Sequence, residues 1–351
     1  MRIISAASAF PSHYYSQTVL LEALKHRWAG KINAEQVRLL ERLHSRVEVK
    51  GRHLAYPLPQ YEKIETWGQA NDLWIKAAEE LGRQALCRAL EQAGLQPSNL
   101  SALFFVSITG VASPSIDARL VNRMKLSPHI KRLPIFGLGC VAGAAGVARA
   151  ADYVRAFPDQ VAAVLSVELC SLTIQFDDFS VANMISSGLF GDGAAAVLVA
   201  GADFEPTPGP SILATRSVFY PDTENVMGWS VSEKGFQIVL SEEVPRIAAH
   251  LATDIDAFLA DEQLTRADIG SWILHTGGPK ILEATAQGLG LPKEALDVSW
   301  QCLSRVGNLS SASVLVVLEE FMTKRKPKPG TYSILAAMGP GFCAELVLLR
   351  W

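Results

Sequence analysis

The sequence predicts an α/β layered fold in which one structural plan is used twice. Two observations carry this. The apolar runs ALFFV (102–106), AAVLSV (162–167), AAAVLV (194–199), SWIL (271–274) and YSILAAM (332–338) alternate with helical stretches. Runs without a polar face suit strands covered by helices on both sides. The second observation is internal similarity. The stretch ALEQAGLQPSNLSALFFVSITG (89–110) has the layout of FLADEQLTRADIGSWILHTGG (258–278), so that Leu95 matches Leu264, Asn99 matches Asp268, and Leu103–Val106 matches Trp272–His275. GDGAAAVLV from Gly191 is echoed by GPGFCAELVLL from Gly339, and GLGCVAGAAG around Cys140 by RVGNLSSASV around Asn308. Three correspondences in one order indicate two halves of βαβ type.

The elements follow in chain order. From the start through the basic amphipathic stretch Gln36–Arg52, the chain reads as helical additions to the first half. The glycine turn at Cys140 opens a helix of small residues, the first echo. GADFEPTPGPS (201–211) is the least regular stretch and joins the halves. The second half repeats strand, helix and strand, with His275 ending one strand and Asn308 opening a helix.

Composition bounds the function. With 351 residues, 49% hydrophobic and 19% charged, the chain is built to bury a large core. A net charge of −3 without like-charge runs suggests neither nucleic acid nor an anionic membrane as partner. The start MRIISAASAFPS has no signal-peptide pattern and no apolar run is long enough to span a bilayer, which points to the cytoplasm and no membrane insertion. The cysteines (Cys87, Cys140, Cys170, Cys302, Cys343) are odd in number and scattered, as are the seven histidines; neither a disulfide framework nor a metal site is expected. Phosphate-binding glycine motifs are absent, so no permanently bound cofactor is expected.

Cys140 is the candidate nucleophile. A thiol at a helix N-terminus meets unpaired N–H groups and the positive end of the helix dipole, which favour thiolate. The bland alternative is a small apolar residue in a buried Gly/Ala helix. The repeat gives Cys140 a counterpart in Asn308 and brings His275 to the same face. Together the three suit acyl transfer through a thioester: thiolate attack, His275 as its ion-pair partner, and N–H donors for the oxyanion. Decarboxylating a malonyl thioester would supply a carbanion without a strong base. Singly, each has a structural reading: His275 as a strand-end residue, Asn308 as a helix cap, Asp192 as a turn residue, Phe190 as core.

In order, GCVAGAAG, GLFGDGAAAVLV, HTGGPKIL, GNLSSASV and GPGFCAEL resemble the type III polyketide synthases, the chalcone synthase-like family, in their bacterial form, over essentially the whole chain. The resemblance implies the thiolase fold: two similar βαβαβ-type halves, expected at 1–205 with the cysteine and 206–351 with the histidine and asparagine, in a five-layer αβαβα arrangement, as a homodimer. It implies that Cys140 carries starter and growing chain, that His275 and Asn308 activate malonyl-CoA, and that Phe190 is the gatekeeper between CoA tunnel and cavity. Arg42 and Arg46 fall on positions that meet CoA phosphates, with a solvated helix face as the alternative. Ile108, Ser113, Cys170, Thr173, Ile238 and Ser310 fall near positions that shape the product, Ser113 toward the partner's cavity. AMGPG at 337–341 departs from the GFGPG of plant members, which puts the loop's part in cyclisation in question.

The implied reaction is acyl-CoA loading on Cys140, iterative decarboxylative condensation with malonyl-CoA, and cyclisation, with alkylpyrone or alkylresorcinol products foremost. Alternatives are a malonyl-primed tetrahydroxynaphthalene-type synthase, a β-ketoacyl carrier-protein synthase III, and a silent acyl-CoA-binding scaffold of the same fold. Against the synthase III, HTGGPKIL lacks the H-Q-x-N form usual there.

Overall fold

The apolar runs become strands buried on both faces. The structure, a computed structural model, describes residues 1–205 and 208–351. Its strands are β1 (Arg2–Ala9), β2 (His13–Ser16), β3 (Gly51–Leu54), β4 (Leu100–Val106), β5 (Lys131–Ile135), β6 (Val161–Leu169), β7 (Asp192–Ala200), β8 (Ser211–Phe219), β9 (Met227–Ser232), β10 (Gly235–Leu240), β11 (Ile269–Leu274), β12 (Tyr332–Gly339) and β13 (Cys343–Arg350). Nine of them hydrogen-bond in the order β11-β12-β13-β8-β1-β7-β6-β4-β5, while β2/β3 and β9/β10 form separate hairpin-like pairs.

The order shows the duplication. In the first half β4 and β6 are parallel, and β6, β7 and β1 follow antiparallel. In the second half β11 and β12 are parallel, and β12, β13 and β8 follow antiparallel. Two antiparallel runs thus meet at the centre, where β1 and β8 are joined at one residue pair, Arg2 with Ser211. The first half has an additional edge strand, β5, parallel to β4.

Alternation along each strand sorts its side chains into different cores. Ala102, Phe104 and Val106 of β4, with Leu335 and Ala337 of β12, enclose the two helices Ala142–Ala156 and Ala312–Glu320. Leu103 and Phe105 face the opposite way, onto the helix Trp67–Ala93. Ile334, Ala336 and Met338 do the same in the second half, toward the helices Leu251–Asp261 and Pro279–Leu289. The layers are helix, sheet, helix pair, sheet, helix: the thiolase-like αβαβα order.

Small residues let the two central helices touch. A Cβ on Gly143 would lie 2.1 Å from the Ser311 carbonyl oxygen, so the helix after Cys140 needs glycine where it crosses the turn before its counterpart. The repeat also extends to the strand entries. Gln96 N–H donates to Asn99 Oδ1 (2.8 Å) ahead of β4, and Thr265 N–H donates to Asp268 Oδ2 (2.8 Å) ahead of β11.

Two expectations need correction or qualification. Arg2–Ala9 is a central strand rather than part of a helical addition; a short run of small apolar residues does not separate strand from helix by periodicity, and pairing with β7 decides it. The helices expected after it do form, at Gln17–Arg27 and Ala34–Arg46. The expected division between the halves adjoins the gap: residue 206 lies outside the described residues.

Candidate active site

Cys140 lies in a short helical turn, Gly139–Val141, just ahead of the helix Ala142–Ala156. Asn308 stands four residues before the helix Ala312–Glu320, so the correspondence between them is not one of equal helix offset. What they share is a preceding glycine in the left-handed region, Gly139 (φ 55) and Gly307 (φ 75), where an L side chain is disfavoured. Both glycines are also hemmed in: a Cβ on Gly139 would lie 2.6 Å from Pro340, and one on Gly307 2.6 Å from the Leu189 carbonyl oxygen. The Gly339-Pro340-Gly341 loop therefore abuts the Cys140 turn directly.

A chain of hydrogen bonds links the expected residues. Cys140 Sγ donates to Ser310 Oγ (3.6 Å). The Ser310 backbone N–H donates to Asn308 Oδ1 (2.8 Å), and Asn308 Nδ2 donates to the Gly277 carbonyl (3.4 Å). Gly277 N–H in turn donates to the His275 carbonyl (3.0 Å), and His275 N–H continues the β11 ladder by donating to Ala336 (3.0 Å). A backbone N–H can only donate, so the Asn308 oxygen must face Ser310, and its NH2 is the group left to serve a ligand. Asn308 also fixes Phe190: Asn308 N–H donates to Leu189 O and Gly191 N–H to Asn308 O, each at 2.9 Å.

Phe190 in turn borders a cavity of about 20 Å³ lined by Cys170, Thr173, Ile174, Asn183, Ser186, Trp229 and Ile238. Of the residues expected to shape the product, Cys170, Thr173 and Ile238 thus line one cavity, and Ser310 touches Cys140. Ile108 is buried at the end of β4, and its carbonyl accepts from Trp229 Nε1 (3.1 Å). Ser113 is not brought to this cavity; it is exposed, in the loop after β4. Arg42 and Arg46 are exposed, one turn apart on the helix Ala34–Arg46. Between them His44 turns inward to Ser187 (3.1 Å), anchoring that helix to the one that ends at Phe190.

Comparison with known sequences and structures places the chain in a family. The profile of the N-terminal domain of chalcone and stilbene synthases matches residues 2–204, and that of their C-terminal domain matches residues 211–351. The chain belongs to the chalcone and stilbene synthase family. It is a type III polyketide synthase. The 1,3,6,8-tetrahydroxynaphthalene synthase of Streptomyces peucetius subsp. caesius is 48% identical over 99% of this chain and 93% of its own. The phloroglucinol synthase of Pseudomonas fluorescens is 31% identical, with 97% of each covered. Among solved structures, the 1,3,6,8-tetrahydroxynaphthalene synthase of Streptomyces coelicolor A3(2) superposes with a TM-score of 0.95 at 29% identity, covering 100% of this chain and 99% of that one.

In this polyketide synthase, burial works on the thiol and the imidazole in opposite directions. Enclosure pushes the Cys140 thiol up to about 12, against the opposing help of Ser310, with the Glu168 charge adding to the rise. Enclosure pulls His275 down to about 4, and its Nδ1 has no hydrogen-bond partner among the described residues. Loss of solvent thus works against the thiolate that the helix start favours. Nor do the two groups hydrogen-bond to one another; the thiol's partner is Ser310.

Sequence reasoning missed Glu168, which is fully buried at the end of β6. It accepts from Thr109 Oγ1 (2.9 Å), Ile108 N–H (3.2 Å), Ser107 Oγ (3.3 Å) and the Ser311 hydroxyl. A carboxylate inside the apolar run AAVLSVEL was the available signal, since buried acids need such partners. Trp229 was missed too. It sits on β9, whose sequence has no pattern tying it to a distant cavity. Among the described residues no three metal-ligating side chains cluster, and no helix is long and apolar enough to cross a membrane.

Proposed function

We propose that this polyketide synthase primes itself with malonyl-CoA and builds a polyhydroxylated aromatic ring system of the tetrahydroxynaphthalene type. The observation that supports the site assignment is the pinned Asn308 amide: its oxygen accepts from the N–H of Ser310, the residue that touches Cys140, and its NH2 gives one hydrogen to the Gly277 carbonyl and keeps the other for a ligand. Cys140, as thiolate, attacks the thioester carbonyl; the C–S bond to CoA breaks and CoA leaves as thiol. Malonyl-CoA then loses CO2, and the electron pair of the broken C–C bond becomes an enolate. Asn308 Nδ2–H and the His275 ring N–H stabilise the enolate oxygen. The enolate carbon attacks the Cys140 thioester, and the thiolate leaves to receive the lengthened chain. Arg42 and Arg46 would hold the CoA phosphates through their forked donors.

The product reading differs from the alkylpyrone or alkylresorcinol expectation because both relatives reported above are named for polyhydroxylated aromatics. A homodimer is part of the same reading. The edge strand β5 is exposed, with Leu133 at 42% and Phe136 just after it at 54% exposure, and an uncovered edge invites pairing with a second copy.

Purified protein given malonyl-CoA alone, then with acyl-CoAs of graded length, tests this with products identified by mass. An aromatic product from malonyl-CoA alone, absent in Cys140→Ala, is expected. Products only from long acyl-CoAs would return the reading to alkylpyrones. A single condensation onto carrier protein would indicate the synthase III, and no Cys140 adduct would indicate the scaffold.

A further inference from the structure

A second cavity of about 110 Å³ lies behind Phe190. Phe190 and Ile174 are common to both cavities, but the rest of this one is separate: Leu20, Ala23 and Leu24 of the helix Gln17–Arg27, with Leu54 and Leu58, form an apolar chamber. Its mouth is at His26, Arg27 and Glu62. Apolar chambers of this order accept a single aromatic ring. Arg52 spends its guanidinium on Gln17 and the Ser187 and Gly188 carbonyls, while Arg27 stacks over the Phe176 ring at 4.8 Å and, with His26, keeps cationic donors at the mouth.

One end of the chamber is polar in a directed way. Asp192 accepts from Ser171 N–H (2.8 Å), Ala55 N–H (2.6 Å) and the Ser171 hydroxyl. The Ser171 proton is thus committed to the carboxylate, and the 2.5 Å contact between Ser171 and Tyr61 must be donated by Tyr61. Burial holds Tyr61 in its protonated form. Its oxygen receives only a long 3.4 Å bond from Tyr56 N–H, which leaves acceptor capacity at the chamber wall. A ligand hydroxyl that reaches Tyr61 must therefore donate.

We propose that this chamber is a binding site for a small neutral phenol, with the ring among Leu20, Ala23 and Leu58 and the hydroxyl donating to Tyr61 Oη. The site needs no assumption about the product of the enzyme, and Phe190 borders both it and the smaller cavity lined by Cys170, Thr173 and Ile238.

The test is calorimetric titration of the intact protein with 4-ethylphenol and ethylbenzene. Expected are binding of 4-ethylphenol and a loss of about three- to tenfold for ethylbenzene, which lacks the donor. Tyr61→Phe should bring 4-ethylphenol down to ethylbenzene's affinity while leaving ethylbenzene unchanged. Ala23→Phe should fill the chamber and abolish binding of both while malonyl-CoA consumption persists. Equal affinity for the phenol and ethylbenzene, or full phenol binding in Ala23→Phe, would overturn the proposal. So would loss of binding on alkylating Cys140, which would place the phenol at the condensing cysteine. Should Ala23→Phe fail to fold, the Tyr61→Phe comparison decides alone.

Discussion

Cys140 and His275 are each neutral when burial acts on them singly, the thiol pushed up to about 12 and the imidazole down to about 4. Moving the proton from one to the other creates no net charge, so burial opposes the pair far less than it opposes either ion alone. The two groups are therefore expected to ionise together, as a pair, in the free enzyme. Alkylation of Cys140 by iodoacetamide, followed against pH, should proceed below the range of a free thiol in the wild type. In His275→Ala it should require a pH several units higher, toward the value that burial alone imposes. An unchanged profile would remove His275 from this role. Much of this was legible in the residues: Cys140 and Asn308 each follow a glycine within an echoed motif. Glu168 was not, because its four donors come from two distant segments, Ser107–Thr109 and Ser311, that only folding brings together.

At the scale of elements, the bridge between Phe190 and Asn308 ties the end of the helix Val181–Leu189 to the turn that presents the amide. Gly307 is what permits it. Gly307→Ala would place a methyl 2.6 Å from the Leu189 carbonyl, the acceptor of Asn308 N–H. Gly290 has a similar φ of 65 with nothing within 4 Å of an added Cβ. Gly290→Ala should lose about 1–2 kcal/mol of stability from the left-handed backbone, and Gly307→Ala more, because a backbone at φ 75, ψ −167 is essentially confined to glycine and the added methyl meets a carbonyl, each read by thermal denaturation. Only Gly307→Ala should also lose about tenfold or more in malonyl-CoA turnover, since ångström-scale misplacement of positioning groups is costly. Equal turnover in both would show that the bridge does not position the amide. The strands were legible from their apolar runs, and the capped turns ahead of β4 and β11 from their parallel layout. The strand identity of Arg2–Ala9 was not, because it rests on β7, almost two hundred residues away.

For the molecule as a whole, buried histidines set an acid limit. His44 is pulled down to about 3, chiefly by burial and secondarily by Arg52. In the unfolded chain it protonates near its ordinary 6.5, so the unfolded state binds more protons between 6.5 and 3. Stability is then present in full above 6.5 and falls as the pH drops through that window. Asp192, raised to about 6, acts in the opposite sense and offsets part of the loss. A comparison with His44→Gln isolates the histidine: its stability should decline less steeply from pH 6.5 to 5, by about 1.4 kcal/mol per pH unit, measured by denaturant unfolding. Identical slopes would mean that His44 titrates normally in the fold.

The two glycine elbows, Gly139 before Cys140 and Gly307 before Asn308, have a consequence for symmetry. Two identical chains facing one another across a dyad must carry the same residue at both elbows: two thiols, or two amides. Joining the copies into one polypeptide breaks that obligation while keeping a positive-φ glycine at both elbows. A nucleophile and a neutral hydrogen-bond donor can then stand in mirrored seats, and the labour of one centre is divided between halves that no longer need to match.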